Sequence, residues 1–322
     1  MKTPAPVMRG MTMRNLLTMM ASATALLVAA GNWHQLQAAD RTPPDAFLVR
    51  LDHAPQTPAE QALPLVLWTE RRTDPEPLAI YVIRINLQAP QLEVVSMLAD
   101  DPDGAGPAEA ALEDPCTLAA RYGALAAVNA NAFGGLPDVN GKSDNRWRAG
   151  LPVDIVGVAA HAGELRSGPG AEPGNSLCFW LDASNRPHIE PFPATPAGVR
   201  EAVNSFCGDL VKDGRSLPPV GGDRHPRTAL GLDAGGRHLF CVVVDGRQQN
   251  FSVGMTSREL ADLMAGLGCQ RAINLDGGGS SAMLATSSGG KLEIVNHPSQ
   301  FLPRPVPILL GVRIRQDASG RK

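Results

Sequence analysis

Asp276 is followed by three glycines and two serines, in the run AINLDGGGSS from Ala272 to Ser281. The apolar approach reads as a buried strand, so the carboxylate falls at a strand end, where acids meet a pocket rim. Gly277, Gly278 and Gly279 admit positive φ and bring backbone N–H groups to a ligand with no side chains in the way. Ser280 and Ser281 add hydroxyl donors. The set suits an oxygen-rich ligand: a sugar, a phosphate or both. It is not a P-loop, since no lysine follows the glycines, and not a dinucleotide fingerprint. A tight glycine turn capped by the aspartate would use the same residues.

Other strand ends carry further candidates. In GDRHPRTALG, His225 and Arg227 flank a proline just before an apolar run, and the planar guanidinium suits a phosphate. In VVVDGRQQN, Asp245 and Arg247 close another run, where a plain Asp-Gly turn competes with a site. In VNANAF, the amides of Asn129 and Asn131 would bind hydroxyls or phosphate oxygens, or make local turns. Arg304 precedes the last apolar strand, and Glu259 is read mainly as part of a helix cap.

The elements that must position these groups follow from periodicity and punctuation. The stretch from Ala79 to Leu87 alternates as a half-buried strand, RTALGLDAGGRHLFCVVVDGR reads as a hairpin turning at Asp233–Gly236, and CTLAARYG as a helix ending near Gly123. TSRELADLMAGLG is the strongest helix, with a Thr256/Glu259 capping box, an apolar face of Leu260, Leu263, Met264 and Leu267, and Gly268 as the stop. Hairpins mixed with helices predict an α+β fold: one domain of mixed, largely antiparallel sheet with packed helices.

The 322 residues are 43% hydrophobic, which is ample for a core, and a net charge of -3 gives no field for nucleic acid. Lys2, Arg9 and Arg14 precede the apolar run Leu16–Ala30 and the small residues Ala38 and Ala39, the pattern of an export signal cleaved near Ala39. An uncleaved anchor is the alternative; after cleavage no stable membrane span is expected, and the periplasm is favoured over the medium. The organisation read from the sequence is a signal over 1–39, a Pro- and Asp-rich lead-in over 40–76, a domain over 77–315 and a polar tail over 316–322. Five scattered cysteines, Cys116, Cys178, Cys207, Cys241 and Cys269, leave at least one thiol unpaired and make no zinc motif; Cys241 reads as a buried bystander. The oligomeric state stays open.

Taken together, NLDGGGSSAM after the helix, HPRTALGLD and VVVDGR upstream, VNANAF before them and RPVPILLGV near the end resemble the phosphodiester glycosidase family, over roughly Pro77 to Arg315. This is the family of the lysosomal uncovering enzyme. The resemblance implies an α+β fold, a pocket around the DGGGS turn and a carbohydrate or glycosyl-phosphate substrate. Two departures are visible: family members commonly follow the upstream asparagine with Gly and two aromatics, whereas Ala130, Asn131, Ala132 and a single Phe133 follow Asn129, and the lysosomal-type cysteine-rich modules are not expected here.

The implied reaction expels a phosphate monoester from the anomeric carbon, which lowers the need for a general acid and raises the need for charge. His225 and Arg227 are assigned to the phosphate, helped by the Gly277–Gly279 amides and Ser280. Asn129, Asn131, Arg247, Ser281 and Arg304 complete the substrate-binding set. Asp276 is the first candidate for the carboxylate at the anomeric centre, as base or nucleophile, and Asp245 the second. A glycosidase acting on an envelope polysaccharide without phosphate, and a glycan-binding module without turnover, are the alternatives. No cofactor and no catalytic metal are expected; isolated acids such as Asp209 and Asp233 could hold a structural Ca2+.

Overall fold

The run LAIYVIRIN shows how the chain is layered. In the computed structural model it forms strand Leu78–Asn86, and every residue of it is buried. Alternate side chains enter different cores: Ala79, Tyr81, Ile83 and Ile85 face one cluster, and Leu78, Ile80 and Val82 another. The half-buried reading of this strand is therefore corrected, because both faces of the sheet are covered. Arg84, the one charged residue in it, is accommodated by donating from Nη2 to the carbonyls of Glu60 at 2.9 Å and Leu63 at 3.3 Å.

The described residues are 47–169, 177–217 and 222–316, all within one compact unit, Pro44–Lys322. The export signal, the first residues of the lead-in and nearly all of the polar tail lie outside them. No helix of the described residues is long and apolar enough to cross a membrane.

Leu78–Asn86 sits inside an eight-stranded sheet. Beyond it, in order, lie His238–Val244, Arg227–Asp233, Cys269–Asn274, Asp209–Lys212 and Arg215–Ser216. On its other side are Leu65–Arg72 and Leu48–Leu51, so the segment read as a lead-in supplies two strands. A second sheet runs Leu292–Ile294, Met283–Thr286, Ala124–Asn129, Ile308–Ile314 and Leu92–Leu98, and a third is built on Val199–Asn204 and Leu177–Asp182.

The expected α+β fold with packed helices is overturned: the chain is mostly β, 44% strand and 10% helical, with three α-helices among the described residues. They are α1 (Pro58–Ala62), α2 (Pro115–Arg121) and α3 (Ser257–Gly266). The physical reason is segment length. Apolar runs of four to nine residues between Gly and Pro breaks are too short for stable helices, and they satisfy their backbone groups by antiparallel pairing with strands far away in sequence. Where a full amphipathic period exists, the helix forms. The Thr256 hydroxyl caps α3 by accepting from Glu259 N at 3.2 Å, Glu259 accepts in return from Thr256 N at 2.9 Å, and Leu260 and Met264 are buried.

Candidate functional site

Three antiparallel neighbours of the main sheet bring their ends to one edge of the molecule. Arg227 opens its strand opposite Val244, which closes the next, and Asn274 closes the third opposite Ala229. His225 and Pro226, Asp245 to Arg247, and Leu275 to Gly279 therefore emerge together. The second sheet joins them there: Asp276 donates its backbone N–H to the carbonyl of Ala130, just past the strand end at Asn129, at 3.0 Å.

The glycines between Asp276 and Ser280 have distinct duties. Gly278 N–H donates to the Pro226 carbonyl at 2.9 Å, and Gly278 sits at φ +61, a left-handed conformation that suits a residue without Cβ. At Gly277 and Gly279 the requirement is room. A Cβ on Gly277 would lie 2.8 Å from the Pro226 carbonyl oxygen, and one on Gly279 would collide with the Arg304 guanidinium.

Above this turn lies a cleft of about 250 Å³ in which Asp276 faces His225, Arg227, Arg247 and Arg304. Among the described residues lining it, Asp276 is the sole carboxylate. Burial pushes the Asp276 carboxyl above its ordinary range, while a hydrogen bond from Ser280, the charge of Arg304 and the Gly277 N–H pull it back; the net shift is upward. Burial and then the charges of Arg227 and Arg247 hold His225 below its ordinary value, which favours the neutral ring. Its Nδ1 lies 3.4 Å from Arg247 Nη2, the geometry of an arginine N–H donating to an unprotonated ring nitrogen. Arg227 is partly committed to the protein, donating from Nε to the Met255 carbonyl and from Nη2 to the Asp223 carbonyl, both at 3.0 Å. Arg304 is freer: Nη1 lies 3.4 Å from Ser280 Oγ, Nε has no partner among the described residues, and the guanidinium stands 5.9 Å from the Trp147 ring centre.

Other residues singled out in the sequence lie outside the cleft lining. Asn129 is a strut, donating to the Asp276 carbonyl at 2.6 Å and accepting from Thr228 Oγ1 at 2.7 Å and Ala282 N at 3.1 Å. Asn131 donates to the carbonyls of Val156 and Val158 at 3.1 and 2.9 Å and accepts from Asn204 N at 3.1 Å. Asp245, 1% exposed, accepts from Asn296 Nδ2 at 2.8 Å and His297 N at 2.9 Å, and burial raises its carboxyl. Ser280 is buried against Asp276 and Arg304; Ser281 is buried with no partner for its hydroxyl among the described residues.

The acids considered for calcium are engaged otherwise. Asp209 faces Arg271 at 3.4 Å, and Asp233 meets His238 at 2.8 Å; no grouping of three metal-binding side chains occurs among the described residues. All five cysteines are unpaired, and burial pushes Cys241 up to about 12.

Two cleft residues escaped the sequence reading. Asn274 lies two positions before Asp276, a spacing that would have placed them on one face of an extended strand. Its Nδ2 is spent on the carbonyls of Phe206 and Leu275, at 2.7 and 2.8 Å, leaving an acceptor-only oxygen. Phe206, in a loop reached by no motif, is 41% exposed and lines the cleft.

A scan against protein families matches residues 122–313 to phosphodiester glycosidase. Among solved structures, the chain is similar to the zebrafish N-acetylglucosamine-1-phosphodiester alpha-N-acetylglucosaminidase catalytic domain auto-inhibited by its pro-peptide. That match has 18% identity and a TM-score of 0.53, over 83% of this chain and 87% of that one. A hypothetical protein from Synechocystis matches at 15% identity and a TM-score of 0.51, over 80% of this chain and 65% of that one. At these identities the likeness is one of fold. No curated protein matches.

Proposed function

Since the chain belongs to the phosphodiester glycosidase family, we propose that it is a glycosidase-type hydrolase cleaving a sugar-1-phosphodiester at the anomeric carbon. One observation carries this reading: a single carboxylate faces three arginines and a histidine in one small cleft. Glycosidases that expel an alcohol commonly need a second carboxyl group as general acid. A phosphate monoester leaves without one, provided that its growing charge is met.

In the proposed reaction the bond from the anomeric carbon to the phosphate oxygen breaks and its electron pair stays on phosphate, taking that group from one negative charge toward two. Arg247 and Arg304 meet that charge with free N–H groups, and Arg227 adds a fixed positive field. Asp276 faces the oxocarbenium-like carbon as nucleophile or as the base that takes a proton from water. Water supplies the new bond to carbon and, in the end, the proton balance. Asn274 is 3% exposed and its unpartnered Oδ1 is sealed from solvent, so it adds negative polarity to the cleft floor and repels an unprotonated phosphate oxygen. The pattern of Leu16–Ala30 supports export, with action outside the cytoplasm on a glycan or envelope-derived substrate.

The test is release of free sugar from a panel of sugar-1-phosphodiesters, UDP-N-acetylglucosamine among them, by the mature protein and its Asp276→Asn variant. Turnover lost in the variant supports both the reaction class and the carboxylate. A folded protein inactive across the panel, or an active Asp276→Asn, counts against the reading.

A further inference from the structure

The cleft volume of about 250 Å³ falls below the roughly 300–1,000 Å³ of pockets that enclose a whole ligand. A sugar and its phosphate fill such a space, so the group esterified on the far side of the phosphate must lie outside it. What the chain places there is apolar. Of the six large apolar side chains exposed among the described residues, Phe206 lines the cleft, and Phe301 and Leu302, 101% and 71% exposed, lie in the chain just before the cleft residue Arg304.

The position of the last two is set by their neighbours. Gln300 and Arg304 both abut Gly279, with Gln300 Nε2 2.8 Å from where a Cβ would sit. Residues 301–303 are therefore a short link between two residues whose side chains reach the cleft wall. Phe301 and Leu302 are thus within two residues of side chains that reach that wall, and both remain exposed. Pro303 and Pro305 bracket Arg304 and restrict the chain further. A single exposed apolar residue needs no explanation, but two adjacent ones, largely exposed to water and within two residues of a cationic cleft residue, form a pairing of charge and apolar surface.

We infer that Phe206, Phe301 and Leu302 receive an apolar group beyond the phosphate, so that the substrate class is a sugar phosphate esterified to a hydrocarbon alcohol. The inference rests on the reading of the cleft as a sugar-phosphate site. Phenyl rings also stack on sugars and bases, but Leu302 offers neither a ring face nor a hydrogen bond, which favours a hydrocarbon in that place.

The test needs neither the natural sugar nor turnover. Octyl phosphate and methyl phosphate share the anionic head and differ in the chain, and calorimetry below the micellar concentration gives their affinities for the full chain. Octyl phosphate should bind at least tenfold more tightly than methyl phosphate. In the double variant Phe301→Ser/Leu302→Ser that advantage should shrink to about twofold, with methyl phosphate binding unchanged. Equal affinities in the native protein, an octyl advantage that survives the double variant, or failure of both phosphates to bind would each overturn the inference. Sugar release on the panel above is independent of these measurements. A preference for the octyl chain without hydrolysis would sink the proposed reaction and keep the apolar subsite; hydrolysis without the preference would do the reverse.

Discussion

Asn129 Nδ2 donates to the backbone carbonyl of Asp276 at 2.6 Å, tying the end of a second-sheet strand to the residue that opens the glycine turn. The Asn129 carbonyl oxygen accepts from Thr228 Oγ1 and from Ala282 N beyond the turn, so one amide clamps both ends of the DGGGSS segment. An asparagine employed in this way has no acceptor left for a sugar. Asn129→Ala should cost about 2–3 kcal/mol of stability, because buried donors lose their acceptor. Turnover should fall with it as Asp276 shifts. Calorimetric Tm and sugar release read both; an unchanged Tm with a raised KM would instead make Asn129 a ligand contact.

Gly279 has no room for a methyl group without displacing Arg304. Gly279→Ala is therefore expected to act through a residue it does not replace, moving the guanidinium from the cleft and lowering kcat/KM by roughly 10²-fold, the usual scale for losing one charge-stabilising group. Arg304→Ala should lose a similar factor, and the double variant little more than either alone. Additive losses would show that the two positions act independently.

Parts of this arrangement are legible in the sequence and parts are not, and the division follows the range of the interactions. The α3 capping box, the hairpin from Arg227 to Val244 and the apolar approach to Asp276 rest on neighbours within a few residues, and each forms as its pattern predicts. Sheet partners do not announce themselves. Ala124–Asn129 pairs with Met283–Thr286 and Ile308–Ile314, more than 150 residues away, and only that pairing turns Asn129 inward as a strut. For the same reason the short apolar runs are readable as strands, whereas the packing of one sheet on another in place of helices is not. Phe206 and Asn274 carry no pattern of their own; the three strand ends that meet beside them make them part of a cleft.

The acid limb of the pH profile follows from the shift at Asp276. An ordinary aspartate titrates near about 3.9. Burial raises the Asp276 carboxyl above that, so a step requiring the ionised form should fail on acidification at a pH higher than for an unperturbed carboxylate. Arg304 favours the charged form, and removing its charge should move the midpoint upward. Residual kcat/KM of Arg304→Gln, followed from pH 3 to 8, should show its acid limb displaced to higher pH than in the native enzyme. A limb displaced downward would break the link between these two groups.

Asp245 and Asp276 can be told apart by what each substitution damages. Asp245 is sealed from solvent and holds the backbone N–H of His297 and the amide of Asn296, the start of the segment that carries Gln300 and Arg304 to the cleft. Asp245→Ala leaves the His297 N–H without its acceptor and the Asn296 amide with only the Ser281 carbonyl, at 3.2 Å, and should cost about 3 kcal/mol. Asp245→Asn keeps one oxygen but turns an N–H toward another donor, so a smaller loss is expected. If Asp245 positions that segment, both variants should show a lowered Tm, and Asp245→Asn should keep measurable turnover at a temperature where it stays folded. If it were instead the carboxylate at the reacting carbon, Asp245→Asn would be inactive with a native Tm. Measuring Tm and sugar release on the same preparation separates the two roles, and the geometry favours the first.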